Sequence, residues 1–194
     1  MLVAFTLIVT LIVAYSAFQE GVLPAIANLV NICLAGLVAF EFFEPIAGSL
    51  EDTFRGTAFA GLEDSLSLFL LFAPTLGALR YLTINLAPQE VELPALFQQV
   101  GAGAIALVSG YLLAGFLVVF LQMLPLGEHF LDFQYQAEPT ASKVRTFLPP
   151  DRVWLSMMNR AGAGPFSQAD AVTFDPEGTF GLRYGRLRRY KDTQ

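Results

Sequence analysis

From Leu93 to Gly127 the chain carries no charged side chain. Two further runs, Met1–Phe18 and Val22–Phe40, are equally free of charge, and only Gln19, Glu20 and Gly21 separate them. A helix crosses the hydrocarbon layer of a bilayer in about 20 residues, so each run is long enough to span. Apolar residues make up 55% of the 194, and charged residues 14%, against about 25% in soluble domains. A water-soluble fold with so little charge would leave large apolar patches uncovered. Lipid is the medium that suits such a surface.

The three-residue interruption is too short for a domain linker but suits the tip of a helical hairpin. One helix running through Gly21 would be about 60 Å long, twice the membrane thickness. A turn there also holds the Glu20 charge at an interface rather than in hydrocarbon. Four spans are expected, at about 1–18, 22–40, 64–86 and 94–124. In the third, Asp64 or Ser65 is placed to cap the first turn, Pro74 to kink the helix and Arg80 to snorkel near the far end. In the fourth, Pro94 suits the helix start and Pro125 the stop. The first run has no Lys or Arg ahead of it, as a signal peptide would, so it reads as an uncleaved span.

Between the second and third spans lies EFFEPIAGSLEDTFRGTAFAGLED. Phe43, Ile46, Leu50 and Phe54 recur at helical spacing, with Glu44, Glu51, Asp52 and Arg55 on other faces. This predicts a separate amphipathic helix lying in the interface. Its mainly acidic polar side is unusual for binding anionic lipid directly, and the alternative is packing on the bundle or on a partner. Residues 125–194 form a polar extramembrane tail, in which Pro149-Pro150-Asp151 opens a short helix to about Arg160, with Trp154, Met157 and Met158 on one side. Val172–Tyr184 reads as a β-hairpin turning at Asp175-Pro176-Glu177-Gly178. The fold class expected is an all-α membrane protein of about four transmembrane helices plus an interfacial helix, with a small polar C-terminal tail.

Apolar helices in lipid gain little from mutual burial and associate through close packing and polar contacts. Ala102, Ala106, Gly110 and Ala114 form a small-residue ridge at four-residue steps on the fourth span, and Ala73 and Gly77 a shorter one on the third. Either ridge suits packing within one bundle or self-association. Asn28 and Asn31 share a stripe of the second span. Carboxamides in hydrocarbon need partners, so they are expected to bond between helices. The sharper alternative is a polar lining for a solute path.

Sites of chemistry are sparse. Gly101–Ala106 matches a dinucleotide-binding pattern, but it sits in a lipid-length run with no preceding strand. His129, between Glu128 and Asp132, is the lone histidine and Cys33 the lone cysteine, so no catalytic residues, metal ligands or cofactors are assigned. Residues 1–124 hold two basic and nine acidic groups; residues 125–194 hold nine basic and eight acidic. The net −6 does not describe a nucleic-acid binder, and no nucleic acid is expected as a partner. Arg183, Arg186, Arg188, Arg189 and Lys191 form a basic cluster near the C-terminus, suited to solvent, anionic headgroups or an acidic partner.

Four segments carry a family resemblance: SAFQEGVLPAIANLVNICLAGLVAF, EPIAGSLEDTF, LEDSLSLFLLF and VGAGAIALVSGYLLAGFLVVFL. Over about residues 1–124 the chain resembles the CvpA family, the colicin V production proteins of bacterial inner membranes. That family usually has a basic residue in its first hairpin turn, where Gln19 and Glu20 stand here. The resemblance implies a multi-pass, non-enzymatic accessory or scaffold in toxin production or export, or in envelope homeostasis. Its expected partners are the lipid bilayer and other membrane proteins or further copies of the chain. The rival expectations are a small oligomeric channel or transporter subunit, or a structural subunit of a larger membrane complex. An even number of spans sets both termini on one side. The charges beside the spans, Arg55 and Arg80, tie on orientation.

Overall fold

The computed structural model describes residues 2–57, 59–86, 94–124 and 149–163. Five helices account for them: α1 (Leu2–Glu20), α2 (Val22–Phe54), α3 (Glu63–Leu86), α4 (Ala95–Met123) and α5 (Pro150–Ala163). The first four are long and apolar enough to cross a membrane, and the chain is an all-α membrane protein. The hairpin expected at 172–184, His129 and the basic cluster at 183–191 lie outside the described residues.

The break between α1 and α2 narrows to one residue. Gly21 has φ +93°, a left-handed conformation that side-chain-bearing residues rarely adopt, and so the chain can reverse there. Phe18 lies beside Gly103 and Thr10 beside Gly110, so α1 runs antiparallel to α4. Val22 lies beside Gly101, and Phe40 beside Phe116, so α2 runs parallel to α4. The hairpin is therefore antiparallel, as the short turn demands. Its first helix nevertheless packs chiefly on α4 rather than on α2. The small residues of α4 allow a close approach that the bulkier α2 does not offer.

The stretch expected as a separate interfacial helix instead continues α2, which runs unbroken for 33 residues, about 50 Å. Ala25, Ile32, Ala35, Ala39, Phe40, Phe43 and Ala47 are all buried, so one face keeps its packing past the first charge, Glu41. Pro45 is exposed and is tolerated inside the helix. Beyond it, Glu51 and Asp52 face outward with Arg55 at 3.7 and 3.9 Å. Such exposed pairs stabilise little.

Neither Asp64 nor Ser65 caps α3. Both lie inside it, and the Ser65 hydroxyl donates to the Leu62 carbonyl at 3.1 Å. The helix continues through Pro74 to Leu86. The α4 helix begins after Pro94, whose carbonyl accepts the Gln98 N–H at 3.0 Å, and ends as Leu124 turns extended. For α5, Pro150 sets the first-turn φ. Asp151 in the first turn and Arg160 in the last match the helix dipole. Part of the polar tail thus returns to pack on α4 and α2.

The main core joins α2, α3, α4 and α5 through Ile32, Phe40, Phe43, Leu68, Phe72, Phe116 and Trp154. Phe72 and Phe116 stack with centroids 3.7 Å apart, and Trp154 meets Phe116 edge-on at 5.8 Å. A smaller cluster, Val22, Ala25, Ala102 and Ala106, closes the other end of the α2–α4 contact.

Candidate functional site

The α4 ridge serves several neighbours. Ala102 and Ala106 are fully buried against Val22 and Ala25 of α2. One turn on, Gly110 meets α1: a Cβ there would stand 2.6 Å from the Thr10 carbonyl oxygen and 2.9 Å from its Cα. Ala114 is fully buried. The α3 pair is different. Ala73 is half-buried, and Gly77 is exposed with nothing within 4 Å of where a Cβ would stand. Small residues at helical spacing permit a crossing, but they do not create the neighbour that must fill it.

Two polar contacts tie α3 to the hairpin. The Asn31 amide donates to Thr83 Oγ1 at 3.0 Å, and the Thr83 hydroxyl lies 2.7 Å from the Leu79 carbonyl. Asn31 is 6% exposed, so this bond satisfies a carboxamide taken out of water. Asn28, one turn earlier, is half-buried. At the turn, Arg80 donates to Glu20 Oε1 at 2.6 Å. Arg80 therefore neutralises the hairpin carboxylate instead of only reaching for the interface, the role the sequence suggests. These side chains are 47% and 40% exposed, so the pair fixes which helices meet at this end more than it adds stability.

Asn31→Ala and Thr83→Val are each expected to cost about 0.6 kcal/mol, the mean for such intramembrane bonds. The double variant should cost no more than either alone plus a few tenths. Reversible unfolding in mixed micelles would measure the cycle; fully additive losses would show that the two side chains do not interact.

The most specific arrangement is a socket for α5. A Cβ on Gly36 would stand 2.5 Å from the Trp154 ring and 3.2 Å from Met158 Sδ. A Cβ on Gly115 would run into the Pro150 carbonyl oxygen and stand 3.1 Å from Trp154 Cβ. Two glycines on different helices thus make room for α5, Gly36 for the indole of Trp154 and Gly115 for the helix backbone, and the indole is fully buried. Beside it, Asp151 is 8% exposed and accepts from Gln122 Nε2 at 3.0 Å. Among the described residues, Asp151 Oδ1 and Trp154 Nε1 have no hydrogen-bond partner.

The α5 spacing marks Trp154 and Met158 as one face, but Gly36, Gln122 and Asp151 gave no sequence signal of belonging with them. A lone glycine in an apolar run and a lone glutamine near its end have no pattern to read. The expected basic cluster, Arg183 to Lys191, lies outside the described residues. Among the described residues, no group of three or more His, Cys, Asp or Glu side chains could hold a metal ion. The polar pairs Asn31–Thr83, Glu20–Arg80 and Gln122–Asp151 each join two helices, an arrangement that holds elements together.

No family model, curated protein or solved structure matches the chain.

Proposed function

We propose that the chain is a CvpA-like multi-pass protein of the bacterial inner membrane, a non-enzymatic scaffold or accessory in envelope homeostasis or in colicin V-type toxin production and export. The observation that carries this reading is the filled interior. Phe40, Phe72, Phe116 and Trp154 pack against one another where α2, α3, α4 and α5 converge, which supports a packed element over a solute path through one copy. The bond from Asn31 to Thr83 likewise favours helix packing over a pore lining for that stripe. A scaffold works through partners, either other membrane proteins or further copies of itself.

Affinity purification of the full chain from membranes in mild detergent tests this. The expected result is stoichiometric recovery of one or more envelope proteins, together with vesicles of the purified chain alone that pass no ions or small solutes. Selective flux from the purified chain would overturn the scaffold reading in favour of a channel.

A further inference from the structure

Arg152, Ser156 and Arg160 recur every four residues along α5, and all three are exposed. At 100° per residue they stand opposite Asp151, Trp154 and Met158, which are buried. The helix therefore presents a cationic stripe away from the bundle. Its level in the membrane follows from its neighbours. Trp154 meets Phe40 at 6.3 Å and Phe116 at 5.8 Å, and the first charge on α2, Glu41, comes directly after Phe40. So α5 lies where hydrocarbon gives way to headgroups, the depth that amphipathic surface helices adopt.

The charges around this rim narrow what can approach. The end shared by α2 and α3 carries Glu41, Glu44, Glu51, Asp52, Glu63 and Asp64, which repel anions. Arg55 lies against Glu51 and Asp52. Among the described residues the ion pairs belong to Arg55 and Arg80, leaving the Arg152 and Arg160 guanidinium groups unpaired there.

We propose that α5 carries a binding surface for the phosphate headgroups of anionic phospholipids, with Arg152 and Arg160 as the contacting side chains. The planar guanidinium fork suits two phosphate oxygens at once. On the face turned away from the bundle, the long side chains let the charged ends reach the headgroups. Anionic lipid then gathers beside α5 and is kept from the acidic remainder of the rim. This goes beyond the scaffold reading and does not depend on it.

The test uses the full chain exchanged into detergent with equal amounts of phosphatidylglycerol and phosphatidylcholine, with the lipids that remain bound counted by native mass spectrometry. A cation near a membrane surface favours anionic lipid by about fivefold, so phosphatidylglycerol should be retained several-fold over phosphatidylcholine at low salt. Arg152→Gln with Arg160→Gln should bring the ratio close to one, whereas Arg152→Lys with Arg160→Lys, which keeps the charge but loses the fork, should fall between the two. Ser156→Arg, at an exposed position between the two, should raise it. Equal retention by the unaltered chain, a preference that survives the double Gln variant, or no gain from Ser156→Arg would each overturn the assignment. Stable capture of an acidic protein at α5 without lipid preference would overturn it too.

Discussion

Gly110→Leu is expected to separate α1 from α4. The contact at Gly110 is backbone against backbone: a Cβ would stand 2.6 Å from the Thr10 oxygen and 2.9 Å from its Cα. No rotamer change can relieve that overlap, so one helix must move. Even Gly110→Ala should cost about 1–3 kcal/mol through overpacking, enough to outweigh the roughly 1 kcal/mol that alanine gains over glycine inside a helix. Leucine should cost more and release α1 altogether. Two other glycines supply the scale. Gly77 faces open space, and at Gly103 the nearest Phe18 atom lies 3.6 Å away; alanine at either should be neutral or mildly stabilising. Reversible unfolding in mixed micelles, with a label pair on α1 and α4, reads both stability and separation. If Gly110→Ala behaves like Gly77→Ala, the close crossing does not exist.

Gly115→Val should expel α5 while leaving the four long helices in place. A Cβ at Gly115 strikes the Pro150 carbonyl, part of the α5 backbone, and valine adds two methyl groups. Undocking forfeits the burial of Trp154, a side chain whose removal from a core typically costs about 3–5 kcal/mol, and with it the Gln122–Asp151 bond. Gly36→Ala should act in the same direction through the ring of Trp154, 2.5 Å from the new methyl. The protein holds one tryptophan, so its emission reports on α5 without background. Docked, Trp154 should emit at short wavelength and resist iodide. In Gly115→Val it should shift red and become quenchable. Emission unchanged in both variants would mean that the two glycines do not form the seat.

How far the sequence reveals this arrangement differs from element to element. Spans are legible because charge is so costly in hydrocarbon that its absence over twenty residues is itself a measurement. The break at Gly21, the start of α4 after Pro94 and the helix after Pro149 follow from local backbone chemistry. Neighbours are another matter. Nothing in α1 distinguishes α2 from α4 as its seat, because the choice rests on which partner lets the backbones approach. The continuation of α2 through Pro45 goes against the punctuation that a proline and the two glutamates before it, Glu41 and Glu44, supply. It becomes sensible only when Phe43 and Ala47 are seen to keep the burial of Phe40. Among candidate contact residues, Ala102, Ala106 and Gly110 meet neighbouring helices whereas Gly77, with similar spacing, does not. Gly36 acquires meaning only from Trp154, which is far away in the chain.

The crossing of Thr10 and Gly110 joins positions 100 residues apart. At a synthesis rate of about 5–20 residues per second, α1 would wait roughly 5–20 s before its chief neighbour left the ribosome. It can afford to wait, since none of its best membrane-spanning window is buried by the finished bundle. Being greasy on every side, it is as comfortable among acyl chains as against protein. α1 thus enters the bilayer before α4 yet is secured only after it, and a polypeptide cut short before residue 110 would leave it drifting.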